Sequence, residues 1–329
     1  MTGPKLLGPW VRRFLLEHVV GERNLSINTQ QSYRDMLVLL LPFAAERSRR
    51  ASDRLEVTDL SPDLIRAFLN HLEQDRKCSP GTRNQRLGGL HALARFVGEH
   101  SPEHLEWCAQ VRLIPFKRTT QAAIRYLDKV EMDALLAAPD RRSSQGQRDH
   151  ALLLFLYNSG ARASEAANLT IRDIDWHART VCVTGKGRKQ RVCPLWPQTI
   201  EQLRGLAAAR APGDAGFLNR RGQPITRFGI HAMVERNASS AGSRVPSLRG
   251  KRIGPHVVRH TAASHLLRSG VDINTIRAWL GHVSLNTTNI YAEVDLETKA
   301  KALAACAPDE KPTARWRNQP EVMAFLRSL

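Results

Sequence analysis

Three polar side chains towards the carboxyl end of the chain could act together on a phosphate, judged by their residue types and spacing. His256, Arg259 and His260 are related by i,i+3 and i,i+4, so on a helix they share one face. Proline is favoured at the start of a helix and glycine at its end, so we predict that this helix begins at Pro255 and ends at Gly270. One face would then offer a guanidinium that binds phosphate and two imidazoles that move protons.

Two further short helices are predicted directly after it, and each delivers one polar side chain. The first covers residues 272–280, stops at a glycine and leaves His282 just beyond its end. The second, from about residue 284 to 294, carries Tyr291. Two imidazoles, a guanidinium and a phenol could therefore meet, hold a phosphodiester and attack it.

Two upstream segments extend this group into an ordered set of motifs. One is GARASE at residues 160–165, which contains Arg162 and Glu165, and the other places Lys186 between two glycines. The whole set resembles the tyrosine recombinase (phage integrase) family in order and spacing; it consists of residues 160–165, Lys186, HVVRH at 256–260, LGH at 280–282, and Tyr291. The resemblance covers residues 125 to 305 and, more loosely, the N-terminal half. Each motif alone is weak, but the ordered set is specific.

This sequence departs from the family pattern only at apolar positions. Ala161 and Ala163 stand where the family often has larger apolar residues, and Val258 stands where leucine is common. None of these positions supplies a polar group of the expected site, so the departures leave the expected chemistry intact.

The resemblance implies that Tyr291 is the nucleophile of a DNA strand-transfer reaction. It would form a 3′-phosphotyrosyl link and release a 5′-hydroxyl, with the bond energy conserved for rejoining. Arg162 and Arg259 would bind the two non-bridging oxygens, because arginine is always charged and forms bidentate bonds to phosphate. His282 would be a further donor. No cofactor and no metal are implied.

The remaining site residues are expected to move protons or to orient the others. His256 titrates near neutrality and is the candidate acceptor for the proton of the tyrosine. Lys186 is the candidate general acid for the leaving oxygen, with Lys189 as the nearby alternative. Glu165 and His260 are interpreted as supporting residues that orient the site through hydrogen bonds.

The predicted architecture has two domains joined by a basic linker. Residues 1–105 are predicted to be an all-α, four-helix, SAM-like core-binding domain, with start signals at Ser26, Ser61 and Ser79 and a kink or end at Pro42. Residues 106–124 are interpreted as the linker. Residues 125–310 are expected to form a mixed α+β, mainly helical catalytic domain with a small antiparallel sheet, built on a hairpin around Lys186. The tail, residues 311–329, is predicted either to dock on a neighbouring protomer or to pack locally.

The composition indicates a nucleic-acid partner. The 329 residues include 49 Lys and Arg against 31 Asp and Glu, which gives a net charge of +18. A surplus of that size favours binding to a polyanion such as double-stranded DNA. The longest apolar run, residues 36–45, is shorter than the ~20 residues of a membrane span, so no membrane is expected. Five scattered cysteines form no CxxC pair, which fits a reducing cytoplasm.

Alternatives remain at the level of function. The resemblance implies a homo-tetramer on two DNA sites, with related recombinases as further partners left open. The role could be integration, excision, transposition or chromosome-dimer resolution. A type IB topoisomerase would use similar chemistry as a monomer, and a DNA-binding accessory protein could carry the same fold with a silent site.

Overall fold

The described residues of the chain form two compact units. The computed structural model describes residues 5–119 and 125–281, and only the backbone at Lys186. The units divide between residues 122 and 123. The first is helical, and the second is mainly helical with one small antiparallel sheet, which confirms the predicted fold class. No helix within these residues is long and apolar enough to cross a membrane.

The N-terminal unit is built from helices that enclose an aromatic core. Three of them begin at the predicted serines, each of which accepts a hydrogen bond from the backbone N–H three residues on. Trp10, Phe14, Phe68 and Phe96 are fully buried between them. The helices are α1 (Leu7–Arg13), which continues as a π-helix (Phe14–Glu22), α2 (Ile27–Ser48), α3 (Pro62–Gln74), α4 (Pro80–His100) and α5 (Leu105–Arg112).

The expected end of a helix at Pro42 and the expected extent of the linker are wrong. Helix α2 runs through Pro42 to Ser48, and both Pro42 and Val38, whose carbonyl loses its N–H partner, are exposed residues. Helix α5 occupies the first part of the segment 106–124 that was interpreted as a linker. Its Trp107 and Val111 are buried, and Trp107 Nε1 donates to the carbonyl of Leu60 at 2.8 Å. This helix therefore belongs to the core of the N-terminal unit.

The second unit surrounds one strongly apolar helix. Helix α7 is buried along most of its length and packs against α9 and α11. The elements are α6 (Lys129–Leu136), α7 (Ser144–Ser159), α8 (Ala163–Ala167), β1 (Ile174–Asp175), β2 (Thr180–Thr184), β3 (Gln190–Pro194), α9 (Pro197–Ala207), α10 (Arg227–Ala241), α11 (Pro255–Arg268) and α12 (Ile273–Leu280). The predicted capping pair at the start of α6, Asp128 and Glu131, is confirmed.

The small sheet carries the predicted hairpin. Its order is β1-β2-β3, all antiparallel, with Val181 opposite Cys193. Strand β1 was not predicted because it has only two residues. Helix α12 packs on α11 through a separate apolar cluster of Ala263, Leu267, Ile276 and Leu280. The hairpin packs on the same core through Val181, Val183 and Cys193. The hairpin and α12 are therefore both held against the core around α7 and α11.

We expect opposite effects from adding a methyl group at two helical glycines. At Gly146, in the first turn of α7, a Cβ would lie 1.9 Å from the carbonyl oxygen of Asp140, so Gly146→Ala should destabilise the unit by about 2 kcal/mol or more. At Gly205, in α9, a Cβ would meet nothing within 4 Å. Gly205→Ala should therefore stabilise it by about 0.5–1 kcal/mol, through helix propensity. Urea unfolding measures both, and a neutral Gly146→Ala would contradict this packing.

Candidate active site

The turn after α7 places Arg162 and shapes its surroundings. Gly160 ends α7 in the left-handed conformation, with φ of 60°, and a Cβ there would lie 2.5 Å from Leu280 Cδ2. Only glycine permits both the conformation and this close approach. Arg162 then stands at the N-cap of α8. Its backbone is held by a hydrogen bond from its N–H to Glu165 Oε2, at 2.9 Å.

A buried carboxylate joins two arginines at this turn. Glu165 has a side chain that is only 3% exposed, and its Oε1 accepts from Arg162 Nη1 at 2.7 Å. Its Oε2 accepts from Arg191 Nη2, also at 2.7 Å. Arg162 is 32% exposed and Arg191 is 10% exposed. We call Arg162, Glu165 and Arg191 the Glu165 network.

The pKa of Glu165 lies below its usual value. Burial alone would raise this pKa, because it disfavours the charged form. Hydrogen bonds and charge from Arg191 and Arg162 together outweigh burial. The carboxylate is therefore ionised at neutral pH, as a buried acceptor shared by two guanidinium groups must be.

Arg259 is buried on α11 and donates to two backbone carbonyls. Its Nη1 donates to Gly160 O at 2.5 Å and its Nη2 to Leu280 O at 2.6 Å. The last carbonyls of a helix have no partner within it. Arg259 thus ties the carboxyl end of α12 to the turn that carries Arg162.

The two histidines of α11 are held towards their neutral forms. Desolvation lowers the pKa of His256, and the positive charges of Arg259 and Arg162 lower it further. Desolvation, with the charges of His256 and Arg259, lowers the pKa of His260 to about 4. Both imidazoles are consequently proton acceptors at neutral pH.

The structure brings together five of the eight predicted site residues: Arg162, Glu165, His256, Arg259 and His260. The backbone of Lys186 lies in the turn between β2 and β3, where Gly187 has φ of 72°. A Cβ at Gly185, one residue before it, would lie 3.1 Å from Glu165 Oε1. His282, Tyr291, the third predicted helix and the tail lie outside the described residues.

Arg191 is a member of this group that the sequence analysis did not single out. It lies on β3, where exposed Gln190 and Val192 alternate with Arg191 and buried Cys193. This alternation puts Arg191 on the inward face. A cation at an inward position of a strand requires a partner, which is the signal that could have identified it.

Within residues 5–119 and 125–281, no group of three or more His, Cys, Asp or Glu side chains is arranged to hold a metal ion. The polar groups that meet here are instead mainly arginines and histidines. Such groups bind anions directly.

Comparison with known proteins identifies the chain. A model of the phage integrase family matches residues 125–298, and one of the phage integrase N-terminal SAM-like domain matches residues 10–100. The chain belongs to the phage integrase family. It is a tyrosine-type site-specific recombinase, with relatives of the same kind along its whole length.

Similar proteins include recombinases of several bacteria. The chain is 38% identical over 335 residues to a protein of Sinorhizobium fredii named as integrase/recombinase y4rC, with 100% of both chains covered. It is 34% identical over 292 residues to tyrosine recombinase XerC of Pelobacter propionicus, covering 87% of this chain and 91% of that one.

Two solved structures share its fold. The Tn1549 transposon integrase in complex with transposon right end DNA has a TM-score of 0.68 at 16% identity, covering 91% of this chain and 99% of that one. The XerH recombinase bound to its difH substrate has a TM-score of 0.63 at 23% identity, covering 88% and 83%.

The depressed pKa of Glu165 predicts a pH-dependent stability. A carboxyl whose pKa is lowered by folding stabilises the folded state above its unfolded value, ~4.3, and this contribution is lost as the pH falls through the folded value. We expect Glu165→Gln to cost about 3 kcal/mol at pH 7, since it breaks a buried pair, and progressively less below about pH 4.3. Urea unfolding across pH measures this, with the exposed Glu201→Gln as control. If the loss of unfolding free energy in Glu165→Gln did not vary with pH, the lowered pKa of Glu165 would be contradicted.

Proposed function

We propose that this recombinase cleaves and rejoins DNA through a 3′-phosphotyrosyl intermediate on Tyr291. The observation that carries the proposal is the meeting of three arginines at one turn: Arg162 and Arg191 share the buried carboxylate of Glu165, and Arg259 donates to the carbonyls of Gly160 and Leu280. One carboxylate shared by two guanidinium groups leaves a surplus of positive charge. A phosphodiester, whose transition state gathers further negative charge, supplies the missing anion.

The other tyrosines support Tyr291 as the nucleophile. The chain has four. Tyr33 packs against Phe14 in the N-terminal unit, and the hydroxyl of Tyr126 accepts a hydrogen bond from Arg268 at 2.9 Å. Tyr157 pairs with His265, with 2.7 Å between Oη and Nδ1, and burial raises its pKa to about 12. Each of these three phenols has a packing or hydrogen-bonding role in its own unit.

The arginines would divide the work on the phosphate. Arg162 is the more exposed guanidinium and would contact a non-bridging oxygen directly. Arg259 is buried and donates to the carbonyls of Gly160 and Leu280, so it would act on the phosphate mainly through its charge. His282 would be a further donor to the transition state.

The histidines suit the removal of a proton from the nucleophile. Ionising a phenol with a pKa of ~10 at neutral pH costs about 4 kcal/mol, so a proton acceptor is needed. The residue His256 is exposed, and its pKa is lowered by desolvation and further by nearby cations, which hold it towards its neutral form. It would accept this proton, while His260, half-buried with a pKa of about 4, would orient the site.

The expected partner is double-stranded DNA. The structures of the Tn1549 integrase and of XerH contain DNA, and the net charge of +18 favours a polyanion. A working homo-tetramer on two DNA sites, action on the DNA of the cytoplasm, and docking of the tail on a neighbouring protomer belong to the same proposal. Integration, excision, transposition and dimer resolution all fit it.

The nucleophile is tested by Tyr291→Phe. This change removes one oxygen, so we expect folding and DNA affinity to be kept while the covalent complex with DNA disappears. The measurement is trapping of protein on DNA fragments that flank its own gene, with affinity determined in parallel. Tyr126→Phe, which also removes one phenolic oxygen, is the matched control and should still trap DNA. Trapping by Tyr291→Phe would assign the nucleophile elsewhere.

The role of Lys186 as general acid is tested with a sulfur substrate. A thiolate at the bridging 5′ position leaves without protonation, because its conjugate acid has a pKa of ~8.5, far below that of the alcohol it replaces. Cleavage of this substrate should be nearly restored in Lys186→Ala. It should not be restored in Arg162→Ala, because Arg162 acts on the non-bridging oxygens and not on the leaving group. Rescue of Lys189→Ala in its place would move the role to that residue, and rescue of neither would assign the proton to another group.

A further inference from the structure

We propose that Arg191 is a positioning residue for the strand-transfer reaction. It holds Glu165, and through Glu165 it holds Arg162, in register with the carboxyl end of α12. This inference rests on the proposed function, in which Arg162 contacts the scissile phosphate. It adds a residue of strand β3 to the proposed site residues at the start of α8, in the β2–β3 turn and on α11.

Arg191 bridges two elements through two different nitrogens of its guanidinium. Its Nε donates to Trp279 O, in the last turn of α12, at 2.8 Å. Its Nη2 donates to Glu165 Oε2 at 2.7 Å. A planar guanidinium fixes the directions of both bonds at once, so the position of Glu165 is set relative to the end of α12.

The chain leaves α12 directly beside Arg191. Gly281 follows the helix in the left-handed conformation, with φ of 64°, and a Cβ there would lie 3.2 Å from Arg191 Cδ. His282 is the next residue along the chain. Arg191 therefore contacts the last described residue before that predicted donor, as well as the carboxylate that holds Arg162.

Sharing of Glu165 also determines how much charge Arg162 offers to a phosphate. Glu165 bonds both the side chain and the backbone of Arg162. Without Arg191, the carboxylate would be left to Arg162 alone and would neutralise it more completely. With Arg191 present, one negative charge serves two guanidinium groups, and Arg162 keeps a net attraction for an anion.

The geometry distinguishes arginine from lysine at this position. An ammonium is a compact donor on a flexible stem and does not reproduce the rigid fork of arginine. Arg191→Lys would keep the charge beside Glu165 and lose the fixed bridge to Trp279. Arg191→Met would lose both while keeping an apolar stem of similar length.

The experiment is a double-mutant cycle on single-turnover formation of the covalent complex with DNA. We expect Arg191→Met to slow this step about 100-fold, as a displaced catalytic group does, with DNA affinity within about 3-fold of the original. Arg191→Lys should recover part of the rate. Arg172→Met, at an exposed arginine of the same unit, is the control and should leave the rate unchanged.

Coupling to Glu165 separates positioning from general support of the fold. If Arg191 acts through Glu165, the double variant Arg191→Met/Glu165→Gln should be scarcely slower than the slower single variant. Effects that multiply, or an unchanged rate in Arg191→Met, would overturn the proposal. The proposal would also be overturned if Arg191→Met lost enough DNA affinity and thermal stability to explain its lower rate.

A second cycle does not depend on cleavage. Arg162→Ala should weaken DNA binding through a lost phosphate contact, and this loss should be smaller when Arg191→Met is already present. If the original chain formed no covalent complex, the proposed function would fail, while this binding cycle would still decide the role of Arg191. Coupling would support the role, and additivity would overturn it.

Discussion

The arrangement of the site depends on one buried carboxylate. Removing a charged group from water is costly unless it is paired and hydrogen-bonded. Glu165 meets this requirement through Arg162 on its own turn and Arg191 on β3. Because the loss of one member of such a pair costs about 3–5 kcal/mol, the α8 turn and the hairpin are fixed relative to each other by an electrostatic requirement as well as by packing.

The carboxyl end of α12 supplies the second constraint. Its last carbonyls lack partners within the helix and carry partial negative charge. Arg191 and Arg259 bond two of them, those of Trp279 and Leu280. A helix end thus holds two guanidinium groups through neutral carbonyls, which do not cancel their positive charge. This way of holding the arginines is compatible with anion binding.

The sequence predicted most helices and the hairpin, because these depend on local signals. Ser26, Ser61 and Ser79 are caps that act within one turn, and the glycines around Lys186 permit a tight turn. Helix α5 was missed because its few apolar residues, including Trp107, stand beside a region without periodicity. Helix α2 continues through Pro42 on a face where Pro42 and Val38 are exposed, and only the packed structure reveals which face that is.

The site was predictable in its residue types and less so in its contacts. The motifs predicted the same role, binding of phosphate oxygens, for Arg162 and Arg259, but the structure gives the two side chains different surroundings. Arg259 is 3% exposed and bonded to carbonyls, whereas Arg162 keeps substantial exposure. The order and spacing of the motifs predict that Arg162 and Arg259 lie near each other. They do not predict which backbone carbonyls lack a partner within their helix. Arg191 and Arg259 are held by backbone carbonyls, whereas Arg162, bonded to the shared carboxylate, keeps the exposure that the proposed phosphate contact requires.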